Sequence, residues 1–183
     1  MSDEMIVKYC SPTLAGIKTG SLFTAAFTSR SECVETLRRW NGMLRRKGLR
    51  AVPFGNGNGR TSVYVYRVSR LVSDLGNAGT RCILSGLGYD CDRPEHCIAQ
   101  LARRLKSGAE FPHEIGLFLG YPPEDVSGFI NKGECRLTGA WKVYGDISRA
   151  ERLFAQYKKC SRIYSELFRS GRSVEQLTVD STQ

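Results

Sequence analysis

The segment from Leu49 to Arg67 places the strongest constraint on how this chain folds. Two strand-like runs, "LRAVPFG" and "TSVYVYR", are separated by "NGNGR". Because Asn and Gly both tolerate positive φ, the Asn-Gly dipeptides predict a tight turn and an antiparallel hairpin. Valine and tyrosine alternate in the second run, so one face is expected to pack on the core and the tyrosine face to be exposed or covered by a helix. Pro53 in the first run predicts an edge position or a bulge.

The rest of the chain alternates between strand-like and helix-like patterns. The run "SLFTAAF" predicts a strand, and the helix after it is expected from about Ser31 to Lys47, with Ser29 or Ser31 as its cap. One or two short helices then precede the helix of "RPEHCIAQLARRLKSG". Further along, "HEIGLFLG" and "AWKVYGD" predict buried strands, each followed by a helix, the last of which is the longest.

This order of elements predicts a single α/β domain of the α+β type. We expect a mixed sheet of about five strands with helices packed on it. With 183 residues the chain has the length of one ordinary domain. The domain is expected to span residues 1–183, with a flexible C-terminal tail over residues 172–183.

The apolar runs and the cysteines bear on the compartment. No run approaches the roughly 20 apolar residues of a membrane-spanning helix, and "MSDEMIVKYC" lacks the basic start of a signal peptide. The seven cysteines are an odd number, which fits a reducing compartment better than a disulfide framework. We therefore expect a soluble cytoplasmic protein with free thiols. The cysteine spacings match no zinc template, so no metal site is predicted.

The net charge points to an anionic partner. The chain has 27 Lys and Arg against 18 Asp and Glu, which gives +9. A positive excess of this size favours nucleic acid or an acidic protein as a partner. Many basic residues lie in "RRWNGMLRRKGLR", where a basic helix face is more often a solvated surface than a binding site. Neither "NGNGR" nor "GLGYDCD" has the spacing of a nucleotide-binding loop, so the sequence names no cofactor.

Cys10 and His113 form the sharpest catalytic hypothesis. In "CSPT" the cysteine stands before a Pro-Thr that could open a helix, where the helix dipole lowers the pKa of a thiol. In "HEIGLFLG" the histidine stands at the start of a predicted strand. A thiol at a helix start and a base at a strand start is the arrangement of papain-like enzymes. The pattern predicts a thiol-dependent enzyme acting on an amide or thioester. The structural alternative is that Cys10 is a small buried apolar residue.

Two non-enzymatic readings stay open beside the catalytic one. In the first, the protein binds nucleic acid or another anion: Tyr64, Tyr66 and Trp141 stack on bases, and basic side chains meet phosphates. The binding residues that we predict are Lys18, Arg60, Arg67, Trp141 and Lys142. In the second, the protein is a metal or redox accessory protein whose thiols Cys91, Cys97 and Cys135 come together only in the fold.

Three stretches together resemble a known bacterial family. They are "YCSPTLAGIKTGSLF", "FPHEIGLFLGYPPEDVSGFI" and "GAWKVYGD" continuing into "RAERLFAQYKKCSRIY". In this order they resemble the family catalogued as domain of unknown function 3793 over nearly the whole chain. The resemblance implies a small, single-domain, cytoplasmic bacterial protein, and it assigns no catalytic residue.

Overall fold

The computed structural model describes residues 3–57, 60–107 and 110–181, with residues 55–57 described by their backbone alone. The chain divides into two compact units, which we call unit 1 (Met1–Ser69 and Tyr157–Gln183) and unit 2 (Arg70–Gln156). The helices are α1 (Glu4–Leu14), α2 (Arg30–Leu44), α3 (Val68–Gly76), α4 (Ala78–Gly86), α5 (Pro94–Ser107), α6 (Ile115–Phe118), α7 (Pro123–Ile130), α8 (Ile147–Arg169) and α9 (Val174–Leu177). The strands are β1 (Gly20–Ala26), β2 (Leu49–Gly57), β3 (Arg60–Arg67), β4 (Leu137–Thr138) and β5 (Lys142–Val143).

The α+β class is confirmed, with one correction to the sheet. The five strands of the described residues form a three-stranded sheet and a separate two-stranded sheet, where the sequence predicted one mixed sheet. The reason is that β4 and β5 are only two residues long and pair only with each other. None of the helices that the structure describes is long and apolar enough to cross a membrane.

The predicted hairpin forms the sheet of unit 1. Strands β2 and β3 pair antiparallel, and β1 pairs antiparallel on the other side of β3, so the order is β1-β3-β2. The register shifts between Phe54 and Asn56, next to Pro53, which lies on the edge strand as predicted. Residues 58 and 59 of the predicted turn lie outside the described residues.

One face of this sheet lies in the core of unit 1. The register places Phe23 beside Val63 and Ala51 beside Val65 on that face. Helix α1 contacts β1, and helix α2 contacts β2. The core that results contains Ile6, Val7, Leu14, Phe23, Leu37, Trp40, Leu44, Leu49, Val63 and Val65.

Helix α2 begins and ends at residues that suit its termini. Ser29, one of the two predicted caps, accepts a hydrogen bond from the Glu32 amide. A 3-10 turn over residues 45–47 follows the helix, and Gly48, with φ 75°, ends it. The Asn41 side chain fixes α2 to β2, since it donates to the Ala51 carbonyl at 2.8 Å and accepts from the Ala51 amide at 3.0 Å.

The segment predicted as a flexible tail is docked on unit 1 up to Ser181. Helix α9 begins with a capping box at Ser173, and Val174 and Leu177 are buried in the core of unit 1. Beyond α9, the Val179 amide donates to the Leu14 carbonyl at 3.0 Å. These contacts give residues 174–181 the burial and hydrogen bonding that a frayed tail lacks.

In unit 2, the segment that contains the second candidate catalytic residue differs from its prediction. The run "IGLF" forms the short helix α6 instead of a buried strand, and His113 lies in the turn before it. Ile115, Leu117 and Phe118 are all buried, and a run of four buried apolar residues fits a strand and a helix equally well. The prediction of a strand was therefore wrong.

Candidate functional site

Cys10 lies inside helix α1 and not at its start. The helix begins six residues earlier, at Glu4, and continues through Pro12 to Leu14. The Cys10 side chain is wholly buried in the core of unit 1. Burial raises the pKa of the Cys10 thiol to about 12, although the Lys18 charge and a hydrogen bond with Ser21 act in the opposite direction. Cys10 is therefore a protonated thiol at neutral pH.

Lys18 stands beside this thiol, in the loop between α1 and β1. Burial lowers the pKa of the Lys18 ammonium to about 8, and the interaction with Cys10 acts against that shift. The ammonium nitrogen lies 5.9 Å from the centre of the Tyr157 ring, a cation–π contact. Lys18 thus faces the interior of unit 1.

His113 belongs to unit 2, where it lies among aromatic rings. Its ring centre is 4.7 Å from that of Phe129 and 5.7 Å from that of Phe111. The Lys142 ammonium lies 5.5 Å from the centre of the Phe129 ring, so two of the predicted site residues meet at Phe129. Phe111 and Phe129 are both exposed. Cys10 belongs to unit 1, and its pairing with His113 stays a prediction.

Trp141 is buried in unit 2 and is not an exposed stacking platform. Its Nε1 donates to the Asp125 carboxylate at 2.7 Å, and its ring stacks on Tyr121 with centres 4.7 Å apart. The same carboxylate accepts from the amides of Tyr144 and Gly145, which fixes the end of the β4–β5 pair. Trp141 therefore holds unit 2 together, and the prediction that it is exposed for stacking was wrong.

The tyrosines and the arginine predicted on β3 are buried as well. Tyr64 and Tyr66 stack on each other, and Tyr64 also stacks on Phe54, with ring centres about 5 Å apart in each pair. Tyr64 is fully buried and Tyr66 nearly so. Arg67 is 3% exposed, and it donates to the carbonyls of Thr13, Leu14 and Val179. The alternation of valine and tyrosine along β3 indicated that the strand has two different faces, but it did not indicate that the side chains of both faces are buried.

The positive charge of the protein lies in unit 1. Unit 1 contains sixteen Lys and Arg against seven Asp and Glu, so it has an excess of nine. Unit 2 contains eleven of each, so its formal net charge is zero. Among the predicted binding residues, Arg60 is an exposed contributor to this excess. Since nearby charges of one sign add their potentials, a polyanion is attracted to unit 1 in particular.

The exposed arginines of unit 1 are concentrated on α2 and the turn after it. The exposed members are Arg30, Arg38, Arg39, Arg45 and Arg46. Arg39 is paired with Asp3 at 2.9 Å. In the described part of the chain, neither Arg38 nor Arg45 has a carboxylate partner, and the seven-residue spacing puts them about 10 Å apart along one helix face.

Arg38 and Arg45 are among the residues that line an open cleft of about 400 Å³ between α2 and β2. The cleft is lined by Val34, Leu37, Arg38, Asn41, Gly42, Arg45, Ala51 and Pro53. Its lining is mostly apolar, and the lining residue Val34 is 40% exposed. At Gly42 a side chain would meet nothing within 4 Å, so the cleft is open at its middle. The cleft therefore combines two arginine side chains with apolar side chains.

Sequence reasoning noticed these arginines but interpreted them as a solvated face. The available signal was the seven-residue spacing of Arg38 and Arg45 with Gly42 between them. No motif indicated that β2 supplies the other wall of the cleft. Metal binding finds no support in the described ranges 3–57, 60–107 and 110–181, where no group of three His, Cys, Asp or Glu could hold an ion.

Comparison with known proteins identifies a family. The model of the family described as "Protein of unknown function (DUF3793)" matches residues 6–178. Comparison with the curated proteins gives no match, and comparison with the solved structures gives none either. The resemblance predicted from the three sequence stretches is confirmed, and the chain belongs to the DUF3793 family.

Proposed function

We propose that this protein binds nucleic acid, with unit 1 contacting the phosphate backbone through the arginines of α2 and of the turn after it. The observation that supports this proposal most is the charge distribution. Unit 1 has an excess of nine positive charges, whereas the formal net charge of unit 2 is zero. Phosphate contacts by Lys and Arg supply most of the affinity in sequence-independent binding.

The cleft between α2 and β2 supports nucleic acid over other anions. Arg38 and Arg45 lie two helical turns apart, so a polymer with regularly spaced phosphates can contact both at once. Guanidinium groups bind phosphate oxygens in a bidentate manner. The apolar side chains of Val34 and Pro53, which also line the cleft, offer a surface for a sugar or an unstacked base. An acidic protein is the second partner class, and it is tested in the same experiment.

The thiol-enzyme hypothesis finds less support. Its nucleophile would be Cys10, but this thiol is buried and its pKa is raised to about 12. A thiolate is the reactive form of cysteine, and a catalytic cysteine has a lowered pKa and an exposed sulfur. The environment of Cys10 has neither property.

The test is the salt dependence of binding to a fluorescently labelled single-stranded oligonucleotide, measured by anisotropy. The variant is Arg38→Gln with Arg45→Gln, and the matched control is Arg149→Gln with Arg152→Gln, two exposed arginines of unit 2. The slope of log K against log salt changes by about 0.7 for each phosphate contact on a single strand. We expect the α2 variant to lose about 1.4 from the slope and the control to keep the wild-type slope.

Two results would contradict the proposal. One is equal slopes for the α2 variant and the control, which would mean that Arg38 and Arg45 contact no phosphate. The other is no binding of the oligonucleotide at low salt, combined with binding of poly-glutamate, which would transfer the site to an acidic protein partner.

A further inference from the structure

The three-stranded sheet of unit 1 has two edge strands, and the fold protects only one of them. On β2, the Asn41 side chain bonds to both the amide and the carbonyl of Ala51. Further along the same strand, Pro53 has no amide hydrogen, and the register then shifts between Phe54 and Asn56. A proline, a bulge and a covering side chain are the features that keep a sheet edge from pairing with another chain.

Strand β1 forms the other edge, where outward backbone groups are left over. The Arg67 amide donates to the Thr19 carbonyl at 2.9 Å. Because hydrogen-bonded residues alternate along an antiparallel ladder, the register with β3 turns outward the amides and carbonyls of Leu22, Thr24 and Ala26. In the part of the chain that the structure describes, no residue hydrogen-bonds to these groups.

The β1 edge has none of the features that protect β2. From Thr19 to Ser29 the chain has no charged residue and no proline, and β1 pairs with β3 without a register shift. Leu22 is half-buried, and Thr24 and Ala26 are exposed. A regular, uncharged edge strand with unpaired backbone groups is a template on which another strand can add.

An exposed aromatic ring lies next to this strand. Tyr9 of α1 stacks on Phe23 of β1 with ring centres 5.3 Å apart, yet Tyr9 remains 43% exposed. Tyrosine is enriched at the centres of protein interfaces, because it adds contact area at a low cost in conformational entropy. A strand added to β1 therefore has a side-chain contact as well as a backbone ladder.

We propose that two copies of this chain pair antiparallel through β1 and join their three-stranded sheets into one continuous sheet. The accessible part of the edge runs from Leu22 to Ala26, so the two-fold axis passes beside its middle residue, Thr24. In this register Thr24 faces Thr24 of the second copy, and Leu22 faces Ala26 of the second copy. Each of these residue pairs exchanges two backbone hydrogen bonds across the axis.

A second copy fits this edge because the edge is complementary to itself. The two-fold axis brings the outward groups of one strand opposite those of the other, and no charged side chain of β1 meets a like charge. Threonine pairs are favourable neighbours across an antiparallel ladder. The positive excess of unit 1 lies outside β1, so the edge itself does not select an acidic partner.

The experiment is sedimentation velocity of the full chain over a range of concentrations, at low and at high salt. We expect a monomer–dimer equilibrium that salt strengthens, because each copy has an excess of nine positive charges on unit 1. Thr24→Lys places two ammonium groups opposite each other across the axis and is expected to raise the dimer Kd by about tenfold or more. The matched control is Thr138→Lys, the same change at an exposed strand threonine of unit 2, and its Kd is expected to stay within about twofold of the wild type.

Hydrogen exchange of single amides, measured by NMR at low and high protein concentration, locates the interface. The amides of Leu22, Thr24 and Ala26 are expected to exchange more slowly as the concentration rises through the dimer Kd. The Phe23 amide, which faces β3 within one copy, is expected to be protected at both concentrations. Because this readout uses the wild type, it decides the question even where a variant fails to fold.

Two results would overturn the proposal. One is a monomer at every concentration up to about 100 μM at high salt, which would leave the β1 edge to a strand of a different protein. The other is a dimer in which Leu22, Thr24 and Ala26 exchange equally fast at low and high concentration, which would place the interface elsewhere. Neither result bears on nucleic-acid binding, which salt weakens and which is measured with the oligonucleotide.

Discussion

Replacing Arg67 by methionine tests the view that this arginine holds unit 1 together. Methionine keeps an unbranched side chain but has no donor, so the change removes the contacts to Thr13, Leu14 and Val179 at 2.6–2.7 Å and to Ser181 at 3.2 Å. These contacts join the C-terminal turn of α1 to the segment after α9. The positive charge of Arg67 also complements the dipole of α1 at its C-terminus.

The expected loss in the free energy of unfolding depends on which of these carbonyls keep a hydrogen-bond donor in Arg67→Met. The Thr13 carbonyl still accepts from the Gly16 amide, and the Leu14 carbonyl still accepts from the Val179 amide. Only the Val179 carbonyl loses the partner described for it, which removes about 1–3 kcal/mol. Two further charge-assisted bonds at about 1 kcal/mol or more each bring the expected loss in the free energy of unfolding to about 3–5 kcal/mol.

The assay is urea unfolding followed by circular dichroism, with hydrogen exchange of the Val179 amide as the local readout. Arg60→Met is the matched control, because Arg60 lies on the same strand but is exposed, and its change is expected within about 0.5 kcal/mol. A loss below about 1 kcal/mol for Arg67→Met would refute the reasoning. The reasoning would also be refuted if Arg67→Met lost much stability while its Val179 amide exchanged hydrogen no faster than in a control variant of equal stability.

Two further predictions concern pH and packing. Burial lowers the pKa of Lys18 from 10.5 to about 8. Between these two pH values, Lys18 holds a proton in the unfolded chain but has released it in the folded chain. The free energy of unfolding of the wild type is therefore expected to rise with pH relative to that of Lys18→Met. Denaturant titrations at several pH values measure this difference, and a flat difference across the window contradicts it. In α7, a side chain at Gly128 would overlap the Tyr144 ring, so Gly128→Ala is expected to lower the free energy of unfolding by about 1–3 kcal/mol, measured by thermal unfolding. In α2, a side chain at Gly42 would meet open space, so Gly42→Ala is expected to raise the free energy of unfolding by about 0.5–1 kcal/mol. Equal effects of the two alanines would show that Tyr144 moves aside freely.

Local patterns predicted most of the helices and the hairpin, because their signals lie within a few residues. The Ser29 cap and Gly48, which ends the 3-10 turn after α2, act on their own neighbours, so they can be read without a fold. The error at residues 115–118 has the same origin, since four apolar residues carry no period. Helix and strand then differ only through the surrounding packing.

The candidate sites were harder to predict because they depend on contacts between distant residues. Arg67 looked like a phosphate ligand, but its partners are carbonyls more than 50 residues away along the chain. The charge distribution was invisible as well, because it requires the knowledge that residues 157–183 join residues 1–69.

Unit 1 consists of two segments that are far apart in the chain, so it cannot fold completely until late in synthesis. Its two parts are separated by the 87 residues of unit 2, which is continuous in the chain. During synthesis unit 2 emerges complete, whereas the hairpin and helices α1 and α2 must wait for residues 157–181 before Val174, Leu177 and the Arg67 contacts can form. The apolar face that α9 later covers is therefore open on the ribosome. Ribosome-bound chains halted before residue 157 should bind chaperones at unit 1 more than chains halted after residue 181.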